Sequence, residues 1–176
     1  MKLTKIGAAL ILTFCGASAA MAENTITFTG TVLDTGCDIA VDGGTANATV
    51  DLGSTAATDL VTKGDLGAPK QFVIDLSSCP TANSANIVFS GQVDADAADP
   101  SYFKNSAGVG SAATNVAVQL KQGGSNGTVV ENNADNDQID LSSGAATQTY
   151  TASMIATGQA EAGDVQAVLT YNVRYN

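Results

Sequence analysis

Two short runs of carboxylates are the first candidates for chemistry: Asp94-Ala95-Asp96-Ala97-Ala98-Asp99 and Asp135-Asn136-Asp137-Gln138-Ile139-Asp140. Closely spaced oxygen ligands on a loop are what a calcium ion takes, but both runs lack the glycine and the closing bidentate glutamate of an EF-hand loop. Each therefore reads as a solvated surface loop. The chain has no histidine, so a Ser-His-Asp arrangement is excluded and any general base would have to be a carboxylate or a lysine. Three cysteines without histidine do not make a zinc set, and no Cys-x-x-Cys pair is present for redox work. Asn47-Ala48-Thr49 and Asn126-Gly127-Thr128 fit the N-glycosylation pattern, which identifies no activity by itself. The expectation is a non-enzyme with no catalytic residue, no metal and no cofactor.

The elements that would carry a site begin behind a leader. Lys2 and Lys5 precede an apolar, small-residue stretch, and Ala20-Met21-Ala22 is a small-x-small cleavage site, so residues 1–22 read as a cleaved signal peptide. The apolar stretch is shorter than the roughly 18–20 residues of a membrane span. Cys15 leaves with the leader. Behind it, five basic residues (Lys63, Lys70, Lys104, Lys121, Arg174) face seventeen acids, a net charge of −12. That balance disfavours nucleic acid and anionic lipid as partners. Cys37 and Cys79, an even pair after an export signal, read as one structural disulfide.

The exported part is patterned for β-structure. Residues 25–32, Thr-Ile-Thr-Phe-Thr-Gly-Thr-Val, put Ile26, Phe28, Gly30 and Val32 on one face and four threonines on the other. Further alternating segments lie at residues 48–52, 71–76, 86–90, 115–121 and 149–154, each followed by turn-forming residues or a break. A helical turn is expected near residues 58–63. From residue 165 onward, Val165, Ala167, Leu169, Tyr171, Val173 and Tyr175 share a face, with Val168 the exception on the other. Short strands without a long helix predict an all-β sandwich that begins and ends in strands.

In this order, these blocks resemble the pilin subunits of chaperone–usher fimbriae, most closely the type 1-like major subunits. The resemblance rests on Phe28-Thr29-Gly30-Thr31-Val32-Leu33 leading to Cys37, on Val50-Asp51-Leu52-Gly53, and on Phe72-Val73-Ile74-Asp75-Leu76-Ser77-Ser78-Cys79. It rests also on residues 114–120, on Gly163, and on the penultimate Tyr175. It implies an incomplete immunoglobulin-like β-sandwich (the pilin fold) lacking its last strand. Residues 23–33 would be an N-terminal donor-strand extension and residues 34–176 the pilin domain. It implies donor side chains Ile26, Phe28, Gly30 and Val32. It also implies an acceptor groove and chaperone-contacting C-terminal strand carrying Gly163, Val165, Ala167, Leu169, Tyr171, Val173 and Tyr175. The implied partners are neighbouring subunits in a homopolymer, a periplasmic pilus chaperone and an outer-membrane usher; the implied location is the cell-surface fimbrium, reached through the periplasm. A structural, adhesion-supporting subunit is the expected role, and a minor adaptor or a receptor-binding tip adhesin is the alternative.

Overall fold

The computed structural model describes residues 26, 29, 30, 32, 36–80 and 84–176. Its contacts divide the chain into two units, Met1–Val32 and Leu33–Asn176. In the first unit, the described residues Ile26, Thr29, Gly30 and Val32 are exposed and belong to no strand. The expected leader, over residues 1–22, and Phe28 lie outside the described residues. An alternating stripe becomes a strand only when a ladder partner satisfies its backbone, and these four positions have none among the described residues.

Among the described residues the second unit contains nine strands: β1 (Asp38–Val41), β2 (Lys70–Ser77), β3 (Ser84–Gly91), β4 (Phe103–Lys104), β5 (Val116–Gln122), β6 (Thr128–Val129), β7 (Ile139–Asp140), β8 (Ala146–Ala156) and β9 (Leu169–Tyr175). The larger sheet runs β1-β2-β8-β5-β4 with β6 beside β5, and the smaller runs β7-β3-β9. All pairings between these strands are antiparallel. The alternation in β2 buries Phe72, Ile74 and Leu76. They meet Ile87 and Phe89 of β3, Leu120 of β5 and Tyr150 of β8 in one core between the sheets. Tyr150 is its centre, stacked on Phe72 at 5.6 Å and edge-on to Phe89 at 5.1 Å between ring centroids.

Tyr150 and its cross-strand partner Gln122 present a fault in this core. The Tyr150 hydroxyl and the Gln122 Oε1 are both buried, and neither has a hydrogen-bond partner among the described residues. Burial, helped by the charge of Asp137, holds the Tyr150 phenol well above its ordinary pKa. An unpartnered buried hydroxyl costs about 1–3 kcal/mol. Tyr150→Phe keeps the ring contacts and removes that atom, so it is expected to raise the midpoint of thermal unfolding; a fall would show that the hydroxyl is hydrogen-bonded after all.

Cys37 and Cys79 are joined in a disulfide. The bridge extends the β1–β2 pairing, whose last pair is Asp38 with Ser77. The carboxylate run at 94–99 is spent on its own turns. Asp94 Oδ1 accepts from the amides of Asp96 and Ala97, and Asp99 Oδ1 accepts from the amide and hydroxyl of Ser101. The Ser101 hydroxyl is the main reason the Asp99 carboxyl sits below its ordinary pKa. The cation here is Lys63, whose Nζ donates to the Ala97 carbonyl at 2.6 Å. In the other run, Asp135 pairs with Arg174 at 2.7 Å on the surface and Asp140 accepts from the Ser142 amide. Among the described residues, no three metal-type side chains gather.

The structure departs from the sequence reading in three places. Residues 48–52 belong to no strand, although Val50 and Leu52 are half-buried and Asp51 is exposed, as an alternating segment requires. The last strand begins at Leu169, not at Val165. β3 ends at Gly91, opposite Leu169, so residues 165–168 have no strand to pair with. The loop at Asn105 and Ser106 holds them instead: Gln166 donates its amide to Asn105 Oδ1 and accepts from the Ser106 amide. The helical turn is a 3-10 turn at Ala57–Asp59, slightly earlier than expected.

Candidate functional site: an open groove beside the last strand

Among the described residues, β9 is the edge of the smaller sheet, hydrogen-bonded to β3 on one side only. Beyond that edge the larger sheet continues, and its inner face there lacks a facing strand. The result is a groove of about 950 Å³. One wall is formed by Ala46 and residues 48–55; the other is Gly163, Val165, Ala167, Leu169 and Tyr171. The floor is apolar: Phe72 and Ile74 of β2, Phe89 of β3, Val116, Val118 and Leu120 of β5, and Ala152 and Met154 of β8.

The two ends are built differently. At one end the walls are joined, because the Tyr171 hydroxyl donates to the Ala46 carbonyl at 2.6 Å. Partial burial raises the Tyr171 phenol above its ordinary pKa. The other end rests on a small cluster of Leu60, Ala113, Val116, Ala156 and Ala160, against which Val165 and Met154 pack. Asp51, Glu161 and Asp164 give the lining its charge, all of it acidic.

Gly163 sits where two backbone segments touch. Asp164 donates to the Ser111 carbonyl at 2.6 Å and accepts from the Ala113 amide at 2.9 Å. A Cβ on Gly163 would overlap backbone atoms of Ser111, Ala112 and Ala113. Gly163→Ala must therefore push the wall away from residues 111–113. The expected loss is about 1–3 kcal/mol, as for other overpacking changes, read as a lower urea midpoint. An unchanged midpoint would mean that the close approach does not matter.

Of the residues read from sequence, five line the groove together: Gly163, Val165, Ala167, Leu169 and Tyr171. Val173 and Tyr175 continue the same face of β9 but pack against the main core beyond the groove. Tyr175 has a separate task there, its hydroxyl accepting the Cys37 amide at 2.6 Å. Ile26, Gly30 and Val32 are exposed, and Phe28 lies outside the described residues. Sequence reasoning missed the opposite wall. Its only signal was the alternation of Val50 and Leu52, which equally describes a strand inside a sheet.

The comparisons with known proteins agree with this architecture. The family model described as fimbrial protein matches residues 26–176. The chain is 31% identical over 175 residues to the laminin-binding fimbrial subunit ElfA of Escherichia coli O157:H7, covering 95% of this chain and 96% of that one. It is 33% identical over 153 residues to the S-fimbrial protein subunit SfaA of Escherichia coli O6:K15:H31 (strain 536 / UPEC), covering 86% and 82%. In fold it is similar to the P pilus rod subunit PapA, with TM-score 0.62, 18% identity, and 79% and 99% of the two chains covered. A subunit of a chaperone–usher pilus studied for rod uncoiling gives TM-score 0.64 at 20% identity, with 89% and 97% covered. The sandwich is thus the immunoglobulin-like fold of pilins. By its sequence over residues 26–176, the chain belongs to the fimbrial protein family, as a structural fimbrial subunit.

Proposed function

We propose that this subunit polymerises by donor-strand exchange. Residues 26–32 of one copy lie in the groove beside β9 of the next and complete its smaller sheet. The observation that carries this reading is the open apolar groove beside a strand that, among the described residues, is hydrogen-bonded on one side only. An edge strand presents a row of free backbone groups, and an added strand gains affinity from them while alternate side chains set its register. The dimensions agree. From Ile26 to Val32 is the same number of extended residues as from Val165 to Tyr171, about 20 Å, with four alternating positions on each.

Before assembly the same groove is filled by a strand of a periplasmic chaperone, and exchange takes place at an outer-membrane usher. The mature chain begins near Glu23, polymerises mainly with itself, and supports adhesion from the cell surface. The mechanism contains no catalytic step: folding and assembly are coupled through one absent strand.

Expressing residues 23–176 and 33–176 beside a matching periplasmic chaperone tests this. Both chains should form a chaperone complex, and only the first should form polymers that survive SDS without heating. Stable monomers from both, with no complex and no polymer, would sink the proposal.

A further inference from the structure

The ladder between β9 and β3 fixes which residues of β9 turn their backbone to the open edge. In an antiparallel pair, residues that exchange hydrogen bonds alternate with residues that do not. Asn176 donates its amide to the Ser84 carbonyl at 2.9 Å, one step beyond the pair of Ala85 with Tyr175. Thr170, Asn172 and Arg174 therefore bond β3 in the same way. Leu169, Tyr171, Val173 and Tyr175 direct their N–H and C=O groups to the other side.

Ahead of Leu169 there is no β3 to bond, yet the pattern continues. Burial alternates without a break from Val165 to Tyr175. The Gln166 amide donates to Asn105 Oδ1 at 2.9 Å, and its carbonyl accepts from the Ser106 amide at 2.7 Å. Asp164 bonds Ser111 and Ala113 through its own amide and carbonyl. Gln166 and Asp164 thus spend their backbone on the loop of residues 105–113, as the even-numbered residues of β9 spend theirs on β3. Val165 and Ala167 are left facing the groove edge, and their backbone groups bond no other described residue. One side chain binds the loop to this wall. Asn105 donates from Nδ2 to the carbonyls of Asp164 at 2.9 Å and Ala113 at 3.1 Å, and its Oδ1 accepts from the amides of Gln166 and Ala107. Both donors and both acceptor sites of the side-chain amide are used.

We propose that residues 105–113 act as a surrogate strand that carries the acceptor edge of β9 back from Leu169 to Val165, with Asn105 as the positioning residue that holds it there. This rests on the donor-strand reading. Four alternating positions would face a donated strand: β3 backs Leu169 and Tyr171, and the loop backs Val165 and Ala167. Without the loop, an incoming strand would find a fixed edge only along the half beside β3.

The test is peptide-resolved hydrogen exchange, read by mass spectrometry, on polymers of the full exported chain. In the unaltered subunit, residues 164–168 and 169–175 should both be protected. Asn105→Ala removes all four bonds of the side-chain amide. Exchange across 164–168 should then rise about tenfold or more, while 169–175 changes less than about twofold. The donor segment, residues 26–32, should lose protection over one half of its length only. Asn105→Asp keeps the acceptor for Gln166 and loses the donor to Asp164; it should show the same asymmetry, and it decides if Asn105→Ala does not polymerise. Equal acceleration of both segments would make Asn105 a general stabiliser of the fold and overturn the proposal. Unchanged exchange across 164–168, or a donor segment still protected along its whole length, would overturn it equally. Free exchange of residues 26–32 in polymers of the unaltered subunit would instead strike the donor-strand reading, and this inference with it.

Discussion

Phe28→Asp is expected to abolish polymer formation while leaving the subunit able to take up a chaperone strand. Phe28 is the largest side chain in the alternating stripe of residues 26–32, and on the proposed mechanism it enters the groove of a neighbour. Burying a phenylalanine stabilises by about 1.5–3 kcal/mol. A carboxylate in its place meets an apolar floor containing Phe72, Ile74 and Leu120 and an acidic rim, and its desolvation costs several kcal/mol more. Together these weaken the joint by roughly a thousandfold or more. The groove of the variant itself is untouched, because its walls and floor come from residues 41–171. Co-expression with the chaperone should therefore still yield the binary complex, and unheated SDS gels should show no ladder. Persistence of the ladder would mean that the other face of the stripe, the threonines, is the one that enters.

The second large effect concerns the disulfide. Cys37→Ser combined with Cys79→Ser is expected to lower the stability of the subunit by about 3–4 kcal/mol, from the entropy of a loop whose ends are 42 positions apart. Against a typical total of about 5–15 kcal/mol this is a large fraction. The loss should concentrate at the end of β9, because Cys37 is also the residue whose amide donates to the Tyr175 hydroxyl. Hydrogen exchange should show it as reduced protection from Val173 to Tyr175, with the groove-lining part of β9 less affected. Uniform loss of protection along β9 would argue against that coupling, and unchanged denaturant midpoints would argue against the bridge as a stabiliser.

Much of this fold could be read from period-two patterns, and the reason is local. Residues 71–76 bury one face, whereas 86–90, 116–121 and 149–154 are buried largely on both, and all four still place larger apolar side chains at every second position; all four lie in long strands. The two-residue strands β4, β6 and β7 were not visible. Their pairing is decided by neighbours distant in sequence, and two residues carry no period. Residues 48–52 and 165–168 show the opposite limit. Both have the alternation of a strand, and neither has the partner that makes one. Side-chain pattern reports which face is buried; it does not report whether a ladder is available. That is why the groove's near wall, on β9, was legible from Val165 to Tyr171, while its far wall was mistaken for an ordinary strand.

The hydrogen bond from Tyr171 to Ala46 has a consequence for the filament as a whole. On the proposed mechanism it closes one end of the groove, so an incoming segment would travel only so far before it met the joined walls. Every subunit added would then advance the fimbria by the same step. The spacing along the fibre would be dictated by a single hydroxyl inside each fold, much as a shoulder machined into a socket sets the length of a jointed rod.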